Sequence, residues 1–173
     1  MSATTSAAAD DRVECGCAEG KMCPVKANID SMFKQCYREQ MIDLMRKIID
    51  DASDPNHDFT TDSKRVTNLK KEMDVVRRLK INPWPDLTSL YTTSKAPICV
   101  TTRKILYVTA ECSGEMYINE TLCLCTCITD LCVMLVAKHY GFAIHEIIET
   151  VVNFIVEQNL RACRDFLFWL DNL

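Results

Sequence analysis

Glycine and proline are scarce in this chain, at 4 and 5 of 173 residues. A fold built from many tight turns needs more of both, so an all-β sandwich or barrel is not expected. Histidine is scarcer still, at 3, and none stands beside a recognisable nucleophile. The glycine-rich phosphate loops and the G-x-S-x-G nucleophile turn are missing. The chain therefore reads as a binding protein, not an enzyme, and no cofactor is expected. A basic excess is missing too. Net charge is -4 and the isoelectric point is about 5.4, which argues against nucleic acid as a partner, because phosphate recognition needs a basic face. The opening MSATTSAAADDRVECGC has no basic stretch followed by an apolar run, so no secretory leader is expected and the compartment should be reducing.

What is present suits a globular chain that can bury a core without staples: 48% hydrophobic and 25% charged residues. Residues 1–24 read as a flexible polar tail and 25–173 as a single domain. Cysteine is abundant, at 11, but the count is odd and the spacing irregular, which points to thiols and not to a disulfide framework. Cys15, Cys17 and Cys23 leave open a zinc- or thiol-dependent protein with a fourth ligand from elsewhere. HEIIE (145–149) resembles a zinc-protease helix in which Glu149 replaces the second histidine, and an i,i+4 surface pair is the simpler reading.

Apolar residues recur at three- and four-residue steps over 27–52, where Ile29, Phe33, Cys36, Tyr37, Met41, Leu44, Met45 and Ile48 share a face, predicting a helix. A second helix is predicted over 63–80 with a stripe of Val66, Leu69, Met73, Val76 and Leu79. INPWPDL must end it, since Pro83 and Pro85 each remove a backbone donor. A helical turn at 86–91, a short helix at 101–112, and amphipathic helices over 143–159 and 160–173 complete the set. The last has Leu160, Cys163, Leu167 and Leu170 on its apolar face, with Phe166 and Trp169 alongside. Between them, NETLCLCTCITDLCVMLVAKH (119–139) is apolar on every side. Asn119 suits its N-cap and Gly141 its C-terminal stop. Such a helix either crosses a membrane or forms the centre of a bundle. Asp130 near its middle and the amphipathic neighbours favour the bundle. Its cysteines Cys123, Cys125, Cys127 and Cys132 lack the paired spacing of a zinc site and read as small apolar side chains.

The second helix carries Lys64, Arg65, Lys70, Lys71, Arg77, Arg78 and Lys80 against Glu72 and Asp74. Seven minus two leaves +5 in an acidic protein. A solvated face is one reading, and a basic wall steering an acidic helix into an apolar groove is the other.

This all-α pattern resembles the Bcl-2 family, a Bcl-2-like helical bundle with a buried central helical hairpin. LKKEMDVV (69–76) resembles its BH3 segment: Leu69 and Asp74 match, Met73 replaces a small residue, and Val76 replaces an aromatic. YINETLCLCTCITDLCV (117–133) resembles the BH1 stretch, with Asn119 matching its asparagine. NFIVEQNLRACRDFLFWL (153–170) is similar to the BH2 region, with Trp169 in the place of its tryptophan. The family's Trp-Gly-Arg is Glu120, Thr121 and Leu122 here, so the arginine that pairs with a ligand aspartate is lost, and Lys80 and Lys104 are the candidate replacements.

The resemblance implies an inhibitor of host apoptosis that holds the BH3 helix of pro-apoptotic proteins, Bim above all. The second helix and its following segment would supply Val75, Val76, Leu79, Lys80 and Trp84 to the groove. Leu87, Val108, Glu111 and Cys112 would follow, and the central helix would add Asn119, Thr121, Leu122 and Cys125. The short loops and the lack of an apolar anchor after Trp169 are similar to viral members of the family, and the opening suggests a large DNA virus such as a fish iridovirus. The host cytoplasm, or the mitochondrial surface through partners, is the implied location, and a homodimer is compatible. Some viral relatives engage innate-immune signalling adaptors instead of BH3 helices, and the changes at Thr121 and Leu122 keep that alternative open.

Overall fold

Ser63 caps the start of a sixteen-residue helix. Its side chain accepts the Val66 N–H at 3.3 Å, and the Lys80 N–H closes the other end on the Val76 carbonyl. These caps satisfy backbone groups that a helix end leaves without partners. The computed structural model describes residues 24–54, 56, 63–80, 84–113, 116–158 and 160–173, with the backbone alone at 110–113. Its described residues form seven α-helices and one 3-10 turn, with no strand. The helices are α1 (Pro24–Ser53), α2 (Lys64–Leu79), α3 (Ser89–Thr92) and α4 (Ile98–Ser113), then α5 (Ile118–Ala137), α6 (Ile144–Gln158) and α7 (Leu160–Asp171). The all-helical class is as expected. The chain divides into two compact units, Met1–Phe33 and Lys34–Leu173. Cys15, Cys17 and Cys23 lie outside the described residues.

In the first unit, Val25, Ile29, Met32 and Phe33 are exposed. The predicted apolar stripe of α1 therefore does not bury Ile29, Phe33 or Cys36. Its buried part is Met41, Leu44, Met45, Ile48 and Ile49, all in the second unit.

The core of the second unit is built around α5, which touches α2, α6 and α7. Leu124, Cys125, Ile128, Leu131, Cys132 and Leu135 are buried on it, and Ile147, Ile148, Val151, Val152, Ile155 and Val156 are buried on α6. At 20 residues α5 is long and apolar enough to cross a membrane, yet more than half of it is buried among the other helices. That is the bundle reading of its sequence. α4 lies against α6, and α2 against α5 and α7.

Both ends of α5 differ from expectation. Asn119 is inside the first turn. The cap is Tyr117, whose N–H donates to the Glu120 carboxylate at 3.1 Å, the reach-back half of a capping box. At the other end His139, not Gly141, adopts the left-handed conformation, with φ 61°. Tyr140 N–H bonds to the Leu135 carbonyl at 2.8 Å and His139 N–H to that of Val136 at 2.9 Å, the paired closure of a Schellman motif. Gly141 instead begins the 3-10 turn into α6.

Three cations of α2 pair with carboxylates on other helices, while Lys71 and Arg78 stay exposed. Arg65 forms a two-pronged pair with Asp171 of α7 at 2.8 and 2.6 Å. Lys70 pairs with Asp51 of α1. Arg77 bridges Asp74 at 2.9 Å and Asp130 of α5 at 2.7 Å. Arg65 holds the Asp171 carboxyl below its ordinary range, chiefly through that hydrogen bond. The excess charge of α2 thus docks it on three neighbours, with the planar guanidinium suited to paired carboxylate oxygens.

α2 also closes α7. The last four carbonyls of a helix have no partner within it. In α7, Phe168 and Trp169 carbonyls receive the Asn172 side-chain amide at 2.7 Å and its N–H at 3.1 Å. Those of Leu170 and Asp171 receive Asn68 Nδ2 at 2.8 Å and Lys64 Nζ at 3.1 Å. Asn68 is buried, which makes its amide a specific tie and not a solvated one.

Candidate functional site: an apolar cavity between α3 and α4

A short, rigidly held helix beside a longer one leaves a wedge. α3 has only four residues, too few to cover the face of α4 that it meets. Three sets of hydrogen bonds fix the wedge. Asp86 accepts from the Thr88 N–H at 2.9 Å and from its hydroxyl, and Lys138 at the end of α5 holds both residues. Asp86 is lowered to about 2, first by the Thr88 hydroxyl, then by the Thr88 N–H and Lys138. Tyr91 of α3 and Thr102 of α4 share a buried hydrogen bond at 3.0 Å. Glu146 of α6 accepts the Cys99 N–H at 3.1 Å, capping the start of α4.

The resulting cavity has a volume of about 510 Å³, within the range of sites that enclose a ligand or anchor side chains. Pro85 and Leu87 approach from the segment before α3, and Leu90 from α3 itself. α4 supplies Thr101, Lys104, Ile105, Val108 and Thr109, which recur at one-turn spacing, and Thr93, Ser94 and Ala96 close the end. Thr101 is buried and Val108 is 65% exposed, so the lining runs from floor to rim along one side of α4.

Of the residues expected to form a binding groove, Leu87 and Val108 line this cavity, and so does Lys104. Val75 and Leu79 are exposed on α2, and Val76 packs partly on the core. Lys80 lies over the Trp84 ring, 3.1 Å from its centroid, a cation–π contact. Thr121, Leu122 and Cys125 do not face a groove. All three are buried on the inward face of α5, and Thr121 returns its hydroxyl to the Tyr117 carbonyl at 2.9 Å. Asn119 is exposed beside a separate pocket of about 460 Å³ with Tyr117, Arg161 and Asp165. The side chains of Glu111 and Cys112 lie outside the described residues.

The sequence reading missed Leu90, Thr101, Ile105 and Thr109. The signal was present in the one-turn spacing of Thr101, Ile105 and Thr109, but threonines hide an apolar face from a hydrophobicity count.

The cysteines divide by face. Cys125 and Cys132 are buried, as expected, and burial pushes each thiol up to about 12. Cys123 is exposed and Cys127 half-buried, so one of the four expected packing thiols lies at the surface and a second is only partly covered. His145 and Glu149 form the i,i+4 pair, at 3.2 Å, and Arg46 of α1 reaches the other ring nitrogen at 2.7 Å. No protein-family model, curated protein or solved structure matches the chain.

Proposed function

We propose that this chain is a Bcl-2-like inhibitor of apoptosis that receives the BH3 helix of pro-apoptotic proteins in the α3–α4 cavity. The open apolar cavity carries the reading. It is walled by fixed elements, it is large enough for anchor side chains of an amphipathic helix, and its rim is exposed. Binding of an amphipathic helix by an apolar groove is a recurrent mode of recognition. Supporting it are the order of helices around a covered apolar α5 and the Asn119, Asp74 and Trp169 matches to the family's motifs. The chain acts by sequestration, not catalysis, in the cytosol of the infected host, and Bim is the leading ligand. Calorimetry against a panel of BH3 peptides tests this. Binding at micromolar or tighter, abolished by Val108→Asp, is expected. No heat from any peptide at tens of micromolar would sink the proposal.

One observation favours a second reading, the binding of innate-immune adaptors on the same fold. Glu120 caps α5, and Thr121 and Leu122 are buried, so the start of α5 presents no cation to a ligand. Binding of an adaptor domain that survives Val108→Asp, with no response to BH3 peptides, is the outcome that selects it.

A further inference from the structure

Two of the four thiols of α5 stay out of the core. Cys123 is exposed and Cys127 half-buried, while Cys125 and Cys132 are buried. Cys123 and Cys127 are one turn apart on the same face of the helix, which places their Cβ atoms about 5–6 Å from each other. A carboxylate stands at either end of the pair, and both are taken. Glu120 accepts the Tyr117 N–H at 3.1 Å, and Asp130 accepts from Arg77 at 2.7 Å. Among the described residues no three His, Cys, Asp or Glu side chains are grouped to hold a metal ion, so the pair offers two sulfurs and no third protein ligand. One cation accompanies it. Lys80, held 3.1 Å from the centroid of the Trp84 ring, is within electrostatic reach of both sulfurs. None of these residues lines the α3–α4 cavity.

We propose that Cys123 and Cys127 form a two-coordinate site for a soft monovalent metal ion, Cu(I), with Lys80 offsetting the charge of the complex. The ligand count selects the metal. Zinc takes four ligands in a structural site and three from the protein even in a catalytic one, which two thiols do not supply. Calcium and magnesium require oxygen ligands. Cu(I) prefers thiolates and is satisfied by two of them in a line. On binding, each thiol gives up its proton, so one Cu(I) replaces two protons and leaves a bis-thiolate complex with a single negative charge. The Lys80 ammonium balances that charge. No electron moves, and the reducing compartment expected from the sequence keeps metal and thiols reduced. Burial raises both thiols. Glu120 adds to this at Cys123, and Lys80 acts the other way on both. Protons therefore compete with the metal, and binding tightens as pH rises. The site does not depend on the helix-binding reading above.

The test is an anaerobic titration of the full chain with Cu(I) against the chromophoric chelator bicinchoninate. Other thiols of the chain also take copper, so the readout is the difference between variants. Cys123→Ser and Cys127→Ser should each lose one equivalent of tightly held Cu(I), and the double variant should lose no more than either alone. Cys36→Ser, at another exposed thiol, should lose none. Lys80→Ala should keep the equivalent and weaken it about tenfold. A second measurement needs no variant: in the parent chain Cu(I) should protect Cys123 and Cys127 together from alkylation, read by peptide mass mapping, and Zn(II) should not. Equal copper uptake by the parent and Cys123→Ser, an equal loss in Cys36→Ser, or protection of Cys123 without Cys127 would overturn the site. Protection of the pair by Zn(II) would overturn the choice of metal.

Discussion

α2 and α4 are both sixteen-residue amphipathic helices, and the bundle uses them in opposite ways. α2 is the more charged, and Lys64, Arg65, Lys70 and Arg77 bind groups on α1, α5 and α7. α4 carries fewer charges, and its outer face keeps Val100, Tyr107 and Val108 exposed beside Lys104, which has no ion-pair partner among the described residues. The difference teaches where to look for a ligand's counter-charge. A high formal charge marks a helix that has many potential partners within its own fold. The one charged residue lining the cavity, Lys104, has none among the described residues, and its field is available to something else.

The sharpest way to break the comparison is at the packing level. Leu69 is fully buried on α2 and Val108 is largely exposed on α4. Leu69→Ala should lower unfolding free energy by roughly 2–5 kcal/mol, while Val108→Ala should change it by less than about 0.5 kcal/mol. Urea melts check both, and equal losses would erase the distinction.

Alkaline pH should attack the helices under α2. Burial raises the thiols of Cys125 and Cys132 of α5 from 9.0 to about 12, and that of Cys163 of α7 from 9.0 to about 11. Their folded values lie above the unfolded one. The stabilisation is therefore complete below about pH 9 and is lost as pH rises toward the folded values, at roughly 1.4 kcal/mol per pH unit for each thiol. Melts across that range should show the slope, and Cys125→Ala together with Cys132→Ala should flatten it.

A smaller effect concerns the tie between α2 and α7. Asn68→Ala leaves the Leu170 carbonyl without its donor in a buried setting and should cost about 1–3 kcal/mol. Smaller still, Arg77→Ala removes the partner of a partly exposed Asp130 and should cost roughly 1 kcal/mol, where Lys104→Ala should cost nothing measurable. A stability loss at Lys104 as large as that at Arg77 would place the α4 cation among the structural ones.

The sequence revealed these two helices unequally. The predicted bounds of α2, 63–80, lie within a residue of the observed Lys64–Leu79, because helix-ending signals act locally. The burial of α5 was legible from the absence of any polar face. The partners of Arg65 and Arg77 were not, since Asp171 and Asp130 are distant in the chain and meet α2 only through tertiary packing. The binding wall suffered in the same way. Leu87, Val108 and Lys104 line the cavity, but Thr121, Leu122 and Cys125 sit in the core, because they lie on the face of α5 that packs inward, which only the tertiary arrangement decides. His139 took the left-handed position expected near Gly141, two residues earlier, because the length of α5 was set by its packing and not by the nearest glycine.

The closure of α7 has a consequence in time as well as in energy. Helix ends ordinarily fray, and their amides exchange with solvent far faster than those of a core. Here each of the four final carbonyls of α7 receives a donor, two of them from α2. The last turn of α7 should therefore open only when α2 lifts away. In deuterium exchange it should behave as one kinetic unit with the first turns of α2, a hundred residues away in the chain.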